Sequence, residues 1–259
     1  MQRLIKMSRT SSPADLSIDI ESQAVAPSIQ ASEGGAKRID ADGLKHSVLL
    51  TSGIKTWWVQ DLWSPVEAFF VHRRVSPNLI TSIGLALTFV AGFLIATNHL
   101  ISGGWMVFIA ASFDFLDGRV ARTTGTQSTA GAFFDSCMDR YMDAAVLMGM
   151  AFLFRESWVL IFVLAAFVGS ATTPYIRAKA ESLGIKCSSG AMQRPERVLY
   201  LGTGTMISGY YECLRYPFEM AGWNSAKIPL ILAVGFVAFV SNKVAIERFL
   251  ETFKTLQSK

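Results

Sequence analysis

Charged residues are scarce in this sequence. Asp, Glu, Lys and Arg make up 17% of its 259 residues, whereas an ordinary soluble domain has about a quarter. Hydrophobic residues make up 51%, and the mean hydropathy is +0.35. This balance excludes a disordered chain and an ordinary soluble enzyme, and it predicts an integral membrane protein.

Cysteine is also rare. Cys137, Cys187 and Cys213 have no CxxC spacing and are odd in number, so neither a disulfide framework nor a zinc site is supported. The net charge of +4 and the pI of about 9.0 are compatible with nucleic-acid binding. In a membrane protein, however, basic loops more simply report topology. We therefore expect no nucleic-acid partner.

The N-terminal region lacks a sustained apolar run. Residues 1–45 are rich in Ser, Ala and Asp, which predicts a disordered cytoplasmic tail without the apolar core of a signal peptide. Residues 54–72 differ, because apolar side chains that include Trp57 and Trp58 recur there at helical spacing. This pattern predicts an amphipathic helix that lies in the membrane interface. We assign residues 46–75 to this juxtamembrane helix.

Six later stretches are long enough to cross a hydrocarbon core, which takes about 20 apolar residues each. Their approximate limits are 78–99, 102–122, 129–154, 157–178, 195–217 and 227–248. The sequence therefore predicts an all-α integral membrane protein, with six transmembrane helices over 76–250 and a short cytoplasmic tail at 251–259. An even number of spans puts both termini on one side. Because that side carries most of the Lys and Arg residues, both termini are predicted to be cytoplasmic.

Five aspartates lie in the second and third predicted spans, where an ionised side chain near the bilayer centre costs roughly 2.5–3.5 kcal/mol. They are Asp114, Asp117, Asp135, Asp139 and Asp143. Their spacings, i, i+3 in one span and i, i+4, i+8 in the other, place each set on one helix face. A short turn joins the two spans and makes them antiparallel neighbours. The carboxylates can therefore converge in the cytoplasmic half of the bundle.

Carboxylates without His or Cys select hard ions such as Mg²⁺ or Mn²⁺ over zinc. Four of them could hold two ions, an arrangement suited to phosphoryl transfer. Pairing with Arg119, Arg122 and Arg140 is the structural alternative, but three arginines cannot neutralise five carboxylates. Because intramembrane carboxylates also mark ion pathways, a divalent-cation transporter stays open, although the acidic residues cluster at one membrane side. A non-catalytic scaffold is a third alternative, which leaves the acidic motif unexplained.

The same residues are part of a longer motif. Asp114-Phe-Leu-Asp117-Gly118-Arg-Val-Ala121-Arg122 is followed after eight residues by Gly131, and then by Asp135 and Asp139, each after three more residues. This stretch resembles the signature D-x2-D-G-x2-A-R-x8-G-x3-D-x3-D of the CDP-alcohol phosphatidyltransferase family at every fixed position. The resemblance extends over residues 54–250, because that family has an interfacial helix followed by six spans.

The resemblance implies an enzyme of phospholipid biosynthesis. It would transfer the phosphatidyl group of CDP-diacylglycerol, or of a similar CDP-lipid, to the hydroxyl of a small polar alcohol and release CMP. The implied ligands of two Mg²⁺ ions, with Mn²⁺ as the alternative, are Asp114, Asp117, Asp135 and Asp139, and Asp139 is also the implied general base. The implied CDP-lipid ligands are Asn78, Thr81, Gly118, Ala121, Arg122 and Ser128. Asp143 lies outside the motif and is expected to neighbour the site.

A basic segment follows the fourth span and continues into the next loop. Y-I-R-A-K-A-E-x-L-G at 175–184 and R-P-E-R at 194–197 resemble bacterial phosphatidylinositol-phosphate synthases and archaeal archaetidylinositol-phosphate synthases, which take inositol phosphate as acceptor. The implied acceptor-phosphate ligands are Arg177, Lys179, Arg194 and Arg197. Pro174 and Gln193 depart from the pattern, so glycerol 3-phosphate and free inositol stay open as acceptors. Ordinary enrichment of cytoplasmic loops in basic residues is the structural alternative. A homodimer in the cytoplasmic membrane is also implied.

Overall fold

The computed structural model describes residues 64–185, 192–215 and 226–258. Helices cover most of these ranges and no strand occurs in them, so the all-α prediction is confirmed there. In chain order the helices are α1 (Ser64–His72), α2 (Pro77–Ala96), α3 (Leu100–Thr123), α4 (Thr129–Leu153), α5 (Leu160–Ser182), α6 (Arg194–Arg215) and α7 (Ile228–Gln257). Helices α2 to α7 correspond to the six predicted spans, and each helix begins within three residues of the start of its predicted span.

Helix α7 is longer than its predicted span. It continues through Gln257, well into the segment assigned above to a C-terminal tail. The sequence after Ala245 contains good helix formers and neither Gly nor Pro, so no residue there ends the helix. Hydropathy alone marks only the apolar part of such a helix.

Four of the described helices are long and apolar enough to cross a membrane, namely α2, α3, α5 and α7. They indicate a membrane protein. Helices α4 and α6 interrupt their apolar residues with several charged side chains, and their crossing of the membrane stays a prediction. The interfacial position of α1 also stays a prediction. The predicted tail at 1–45 and the first part of the juxtamembrane helix lie outside the described residues.

The helices pack so that segments distant in the chain become neighbours. Helix α2 packs against α3 and α4, α3 also packs against α6, and α7 packs against both α5 and α6. Buried apolar side chains from these helices form a common core, with Leu100, Met150, Val163 and Val234 among its members. The N-terminal ends of α2, α4 and α6 meet the C-terminal halves of α3, α5 and α7 at one end of the bundle, which we call the site end.

Helices α2 and α4 approach so closely that their backbones touch. A Cβ atom added to Gly92 would lie 2.5 Å from the Ala145 carbonyl oxygen, and one added to Gly149 would overlap the Gly92 carbonyl. Only glycine leaves room for this contact, because it has no Cβ. Small residues at such positions allow close helix approach in membrane proteins. The spacing between α2 and α4 is thereby fixed in the middle of the bundle.

Helix α1 is attached to the C-terminal half of α3. Glu67 forms an ion pair with Arg119 and accepts a hydrogen bond of 2.7 Å from the Thr123 hydroxyl. The ring of Phe70 meets that of Phe113 edge to face, with centroids 6.2 Å apart. These contacts join α1 to the helix that carries the first part of the acidic motif.

Candidate active site

The turn between α3 and α4 places the two acidic helix faces side by side. Gly125 has φ +66°, a left-handed conformation that glycine adopts without strain, and it ends α3. Ser128 begins α4, because its hydroxyl accepts a hydrogen bond of 3.0 Å from the Gly131 amide, the usual arrangement of a helix N-cap. The turn makes α3 and α4 run antiparallel, but the two helices have almost no direct contact and both pack against α2. The prediction that they are packed neighbours is therefore wrong, and their acidic faces meet through side chains.

Three aspartates meet at the site end. Asp114 on α3 and Asp135 and Asp139 on α4 each bring one carboxylate oxygen to within 4.8 Å of the others. We call them the carboxylate trio. Asp114 Oδ1 is buried and has no hydrogen-bond partner among the described residues, which is rare for a buried acceptor. An oxygen-only donor set with an unsatisfied buried oxygen fits a hard divalent cation.

Asp117 is separate from the trio. It lies one helical turn after Asp114, is 5% exposed, and accepts a hydrogen bond from the Thr81 hydroxyl. This contact joins a predicted metal ligand to a predicted CDP-lipid ligand and ties α2 to α3. Metal binding by Asp117 stays a prediction.

The start of α2 lies beside the turn between α3 and α4. A Cβ atom on Gly131 would lie 3.1 Å from the Ser128 hydroxyl and 3.7 Å from Asn78 Oδ1. The predicted CDP-lipid ligands Asn78 and Ser128 are therefore close to each other. Both are exposed, so both are accessible to a ligand.

The end of α3 carries the other predicted CDP-lipid ligands. The Arg122 guanidinium lies over Gly118, and a Cβ atom at that glycine would be 3.3 Å from Arg122 Nη1. Ala121 is half-buried beside them. The absence of a side chain at Gly118 therefore leaves the space that the guanidinium uses.

The R-P-E-R segment begins α6. Pro195 lies in the first turn, where its missing amide is no loss, and the Gln193 amide donates a hydrogen bond of 2.9 Å to Glu196 Oε2. This is one half of a capping box. A fixed helix start places Arg194 and Arg197, three residues apart, on one face toward α4.

The two arginines of α6 contact the acidic helices. Arg194 donates to Asp114, and its Nη1 is 2.9 Å from Asp139 Oδ1 while its Nε is 3.6 Å from Asp143 Oδ1. Arg197 forms an ion pair with Asp143. Both arginine side chains are nearly buried, 15% and 7% exposed. The site end therefore contains cations and anions in direct contact, sheltered from water.

A cavity of about 210 Å³ opens beside the trio. The ionisable residues of its lining are Asp139, Arg140, Asp143, Arg177, Arg194, Arg197 and Arg248. Arg177 is exposed and pairs with Glu181 at 2.8 Å. Lys179 is exposed and does not contribute to this lining. Three of the four predicted acceptor-phosphate ligands therefore lie around one cavity that also contains the predicted base.

Two features of the site were missed by sequence reasoning. The first is the contact of Arg194 with the trio, since the arginines considered as partners were those of α3 and α4. Of these, Arg119 pairs with Glu67 and Arg140 donates to the Ser136 carbonyl. The second is Arg248, which lines the cavity and donates a 3.2 Å hydrogen bond to the Thr173 carbonyl.

The family model of CDP-alcohol phosphatidyltransferases matches residues 74–240. This range contains the carboxylate trio, both α6 arginines and most of the cavity lining. The chain belongs to the CDP-alcohol phosphatidyltransferase family, and it is therefore a transferase of that class.

Two relatives within this family are phosphatidylinositol phosphate synthases. The chain is 31% identical to the phosphatidylinositol phosphate synthase of Mycobacteroides abscessus over 173 residues, which is 65% of this chain and 78% of the relative. It is 30% identical to the phosphatidylinositol phosphate synthase of Cutibacterium acnes over 199 residues, 73% of this chain and 94% of the relative.

The solved structures that resemble this fold also include a phosphatidylinositol phosphate synthase. The fold is similar to that of the phosphatidylinositol phosphate synthase of Mycobacterium tuberculosis in complex with manganese and citrate, with a TM-score of 0.63 and 26% identity over 73% of this chain and 88% of that one. The same enzyme with CDP-DAG bound gives a TM-score of 0.62 at 26% identity, over 73% of this chain and 92% of that one.

Proposed function

We propose that this protein transfers the phosphatidyl group of CDP-diacylglycerol to a hydroxyl of inositol phosphate and releases CMP. One observation carries the proposal. Asp139 belongs both to the carboxylate trio and to the lining of the cavity that Arg177, Arg194 and Arg197 share. A single carboxylate thus faces a site suited to a diphosphate with its counter-ions and a site suited to an anionic acceptor.

Each part of this geometry supports one step of the transfer. The acceptor phosphate binds the arginines of the cavity, because guanidinium groups bind phosphate with two parallel hydrogen bonds. Its hydroxyl then lies beside Asp139, which takes the proton as the oxygen attacks the β-phosphorus. The bond from this phosphorus to the CMP oxygen breaks, and CMP leaves with the electron pair. Asn78, Ser128 and Arg122 are the proposed ligands of the CDP group.

The trio is suited to a divalent cation, and we propose Mg²⁺ as the physiological ion, with two ions for each site. Asp114, Asp135 and Asp139 would hold them, joined by Asp117. Such ions offset the charge on the diphosphate and on the departing CMP. The manganese in the complex of the Mycobacterium tuberculosis enzyme supports this proposal.

The acceptor is tested by CMP release from CDP-diacylglycerol by the purified protein, with Mg²⁺ and one acceptor at a time. We expect release with myo-inositol 3-phosphate and little with glycerol 3-phosphate or free inositol. Release with glycerol 3-phosphate alone would preserve the reaction class and refute the acceptor. No release with any of the three would refute the proposed reaction.

The base is tested by Asp139→Asn. We expect turnover to fall by at least about a thousandfold, because proton transfer and charge balance at the trio are both impaired, while CDP-lipid binding stays within a few-fold. The measurement is CMP release together with CDP-lipid binding. Asp143→Asn is the matched control on the same helix face, and it should keep measurable turnover. Unimpaired turnover of Asp139→Asn would remove the assignment.

We further propose that all six helices α2 to α7 cross the inner membrane with both termini cytoplasmic, that α1 lies in the interface, and that the enzyme is a homodimer. The charge asymmetry of the loops supports the orientation. Alkaline phosphatase fused after residue 156 should be active outside the cytoplasm, and a fusion at the C-terminus should be inactive. The reverse result would refute the orientation. Light scattering in detergent measures the oligomeric state.

A further inference from the structure

Arg194 lies between carboxylates that a divalent cation also needs. Its guanidinium donates to Asp114 and lies 2.9 Å from Asp139 Oδ1, and these two aspartates belong to the carboxylate trio. A third carboxylate, that of Asp143, is 3.6 Å from Arg194 Nε. One nearly buried cation is thus placed where three anions of α3 and α4 converge.

A divalent cation at the trio and this guanidinium compete for the same two carboxylates. Metal–oxygen bonds of roughly 2.0–2.6 Å on Asp114 and Asp139 would place the ion within a few ångströms of Arg194. Two cations at that separation repel each other strongly at a partly buried site. Arg197 does not share this conflict, because it pairs with Asp143 and the Met192 carbonyl, outside the trio. Of the two α6 arginines, Arg194 is therefore the one that a cation at the trio would displace.

The cavity beside the trio can accommodate the displaced Arg194 side chain. Arg194 already lines the cavity that Arg177, Arg197 and Arg248 also line. It stands at the first residue of α6, and the capped start of that helix keeps its backbone fixed. A change of side-chain rotamer alone can carry its guanidinium from the trio toward the cavity, since Arg is long and flexible.

We propose that Arg194 and the divalent cation exchange at the trio. Binding of the cation releases Arg194 from Asp114 and Asp139, and the released guanidinium becomes a ligand of the acceptor phosphate. Asp139 loses its arginine partner in the same event. The cation therefore binds before the acceptor, and each strengthens the binding of the other, because such coupling is reciprocal. The second half of this proposal rests on the proposed function, whereas the exchange itself does not.

The exchange is tested with Mn²⁺ alone. The full chain is purified in detergent, without CDP-lipid or acceptor, and free Mn²⁺ is measured by electron paramagnetic resonance during a titration. We expect Arg194→Gln to bind Mn²⁺ about tenfold more tightly than the unmodified protein, because its competitor is gone. Equal or weaker binding by Arg194→Gln would overturn the proposal, whatever the enzyme's activity.

Arg140→Gln is the matched control. It removes the same charge from the lining of the same cavity, but Arg140 donates to the Ser136 carbonyl of its own helix. We expect its Mn²⁺ affinity to rise less than threefold. A rise as large as that of Arg194→Gln would show a general effect of charge and would also overturn the exchange.

A second variant covers the case in which Arg194→Gln does not fold. Lysine keeps the positive charge of Arg194 but lacks the forked guanidinium that contacts two carboxylates at once. Arg194→Lys should therefore bind Mn²⁺ a few-fold more tightly than the unmodified protein. Unchanged affinity would contradict the exchange.

A separate experiment tests the phosphate role of Arg194 by measuring the binding of myo-inositol 3-phosphate with and without Mn²⁺. The strengthening by Mn²⁺ should be smaller in Arg194→Lys, and equal strengthening would refute the phosphate role while leaving the exchange intact.

Discussion

Two pairs of basic residues from the same predicted cluster differ in their surroundings. Arg194 and Arg197 on α6 are nearly buried and contact the carboxylates of α3 and α4. Arg177 and Lys179 on α5 are exposed, and among the described residues Arg177 pairs only with Glu181, one turn further along its own helix. All four side chains carry a positive charge, but only the α6 pair is nearly buried against acidic side chains. We therefore expect the α6 pair to affect the site more than the α5 pair.

The largest effect should follow the loss of Arg197. Replacing it with Ala leaves Asp143 without its main partner, and breaking a buried ion pair costs about 3–5 kcal/mol. We expect the melting temperature in detergent to fall by roughly 5–10 °C and the KM for myo-inositol 3-phosphate to rise far more than that for CDP-lipid. Thermal unfolding and steady-state kinetics measure the two effects. If neither changes, the α6 pair has no special role.

A double-mutant cycle gives the difference between the two pairs as a coupling energy. We expect about 2 kcal/mol for Arg197 with Asp143, since the pair is sheltered, and at most about 0.5 kcal/mol for the exposed pair of Arg177 with Glu181. Chemical unfolding of the four single and two double Ala variants measures both energies. Similar couplings in the two cycles would contradict the comparison.

The smallest effects should come from α5. Arg177→Ala should raise the KM for myo-inositol 3-phosphate a few-fold, because this arginine lines the cavity, and should leave the melting temperature within about 1 °C, as is usual for exposed substitutions. Lys179→Ala should change that KM less than twofold. The two variants are compared in one acceptor titration. A larger effect for Lys179 than for Arg177 would reverse the order that their positions predict.

Local patterns in the sequence were sufficient for much of the molecule. The positions of α2 to α7 follow from hydropathy, and the convergence of Asp114 with Asp135 and Asp139 follows from helical spacing and a short turn. Asp143 could be placed near the site for the same reason. Each of these inferences needs only residues close together in the chain.

Contacts between distant segments could not be predicted in this way. Asp117 bonds to Thr81, 36 residues away, and Asp114 bonds to Arg194, 80 residues away. These contacts depend on how α2, α3 and α6 pack against each other, and the hydrophobic periodicity of one helix does not show which other helix it packs against. The role of Arg248 could not be predicted for a related reason. Its position in the cavity depends on the packing of α7 against α5.

The glycine contact between α2 and α4 has a mechanical consequence. Asn78 and Asp135 each lie fourteen residues before the glycine of their own helix, Gly92 or Gly149, which is about 21 Å along the helix axis. The contact is thus a pivot, and the two helix ends far from it carry a predicted CDP-lipid ligand, Asn78, and a predicted metal ligand, Asp135. A relative tilt of about 5° between the helices would move those ends by roughly 2 Å over an arm of this length, while the backbones stay in touch at the pivot. A tilt of this size would therefore widen the site end while the middle of the bundle stays closed.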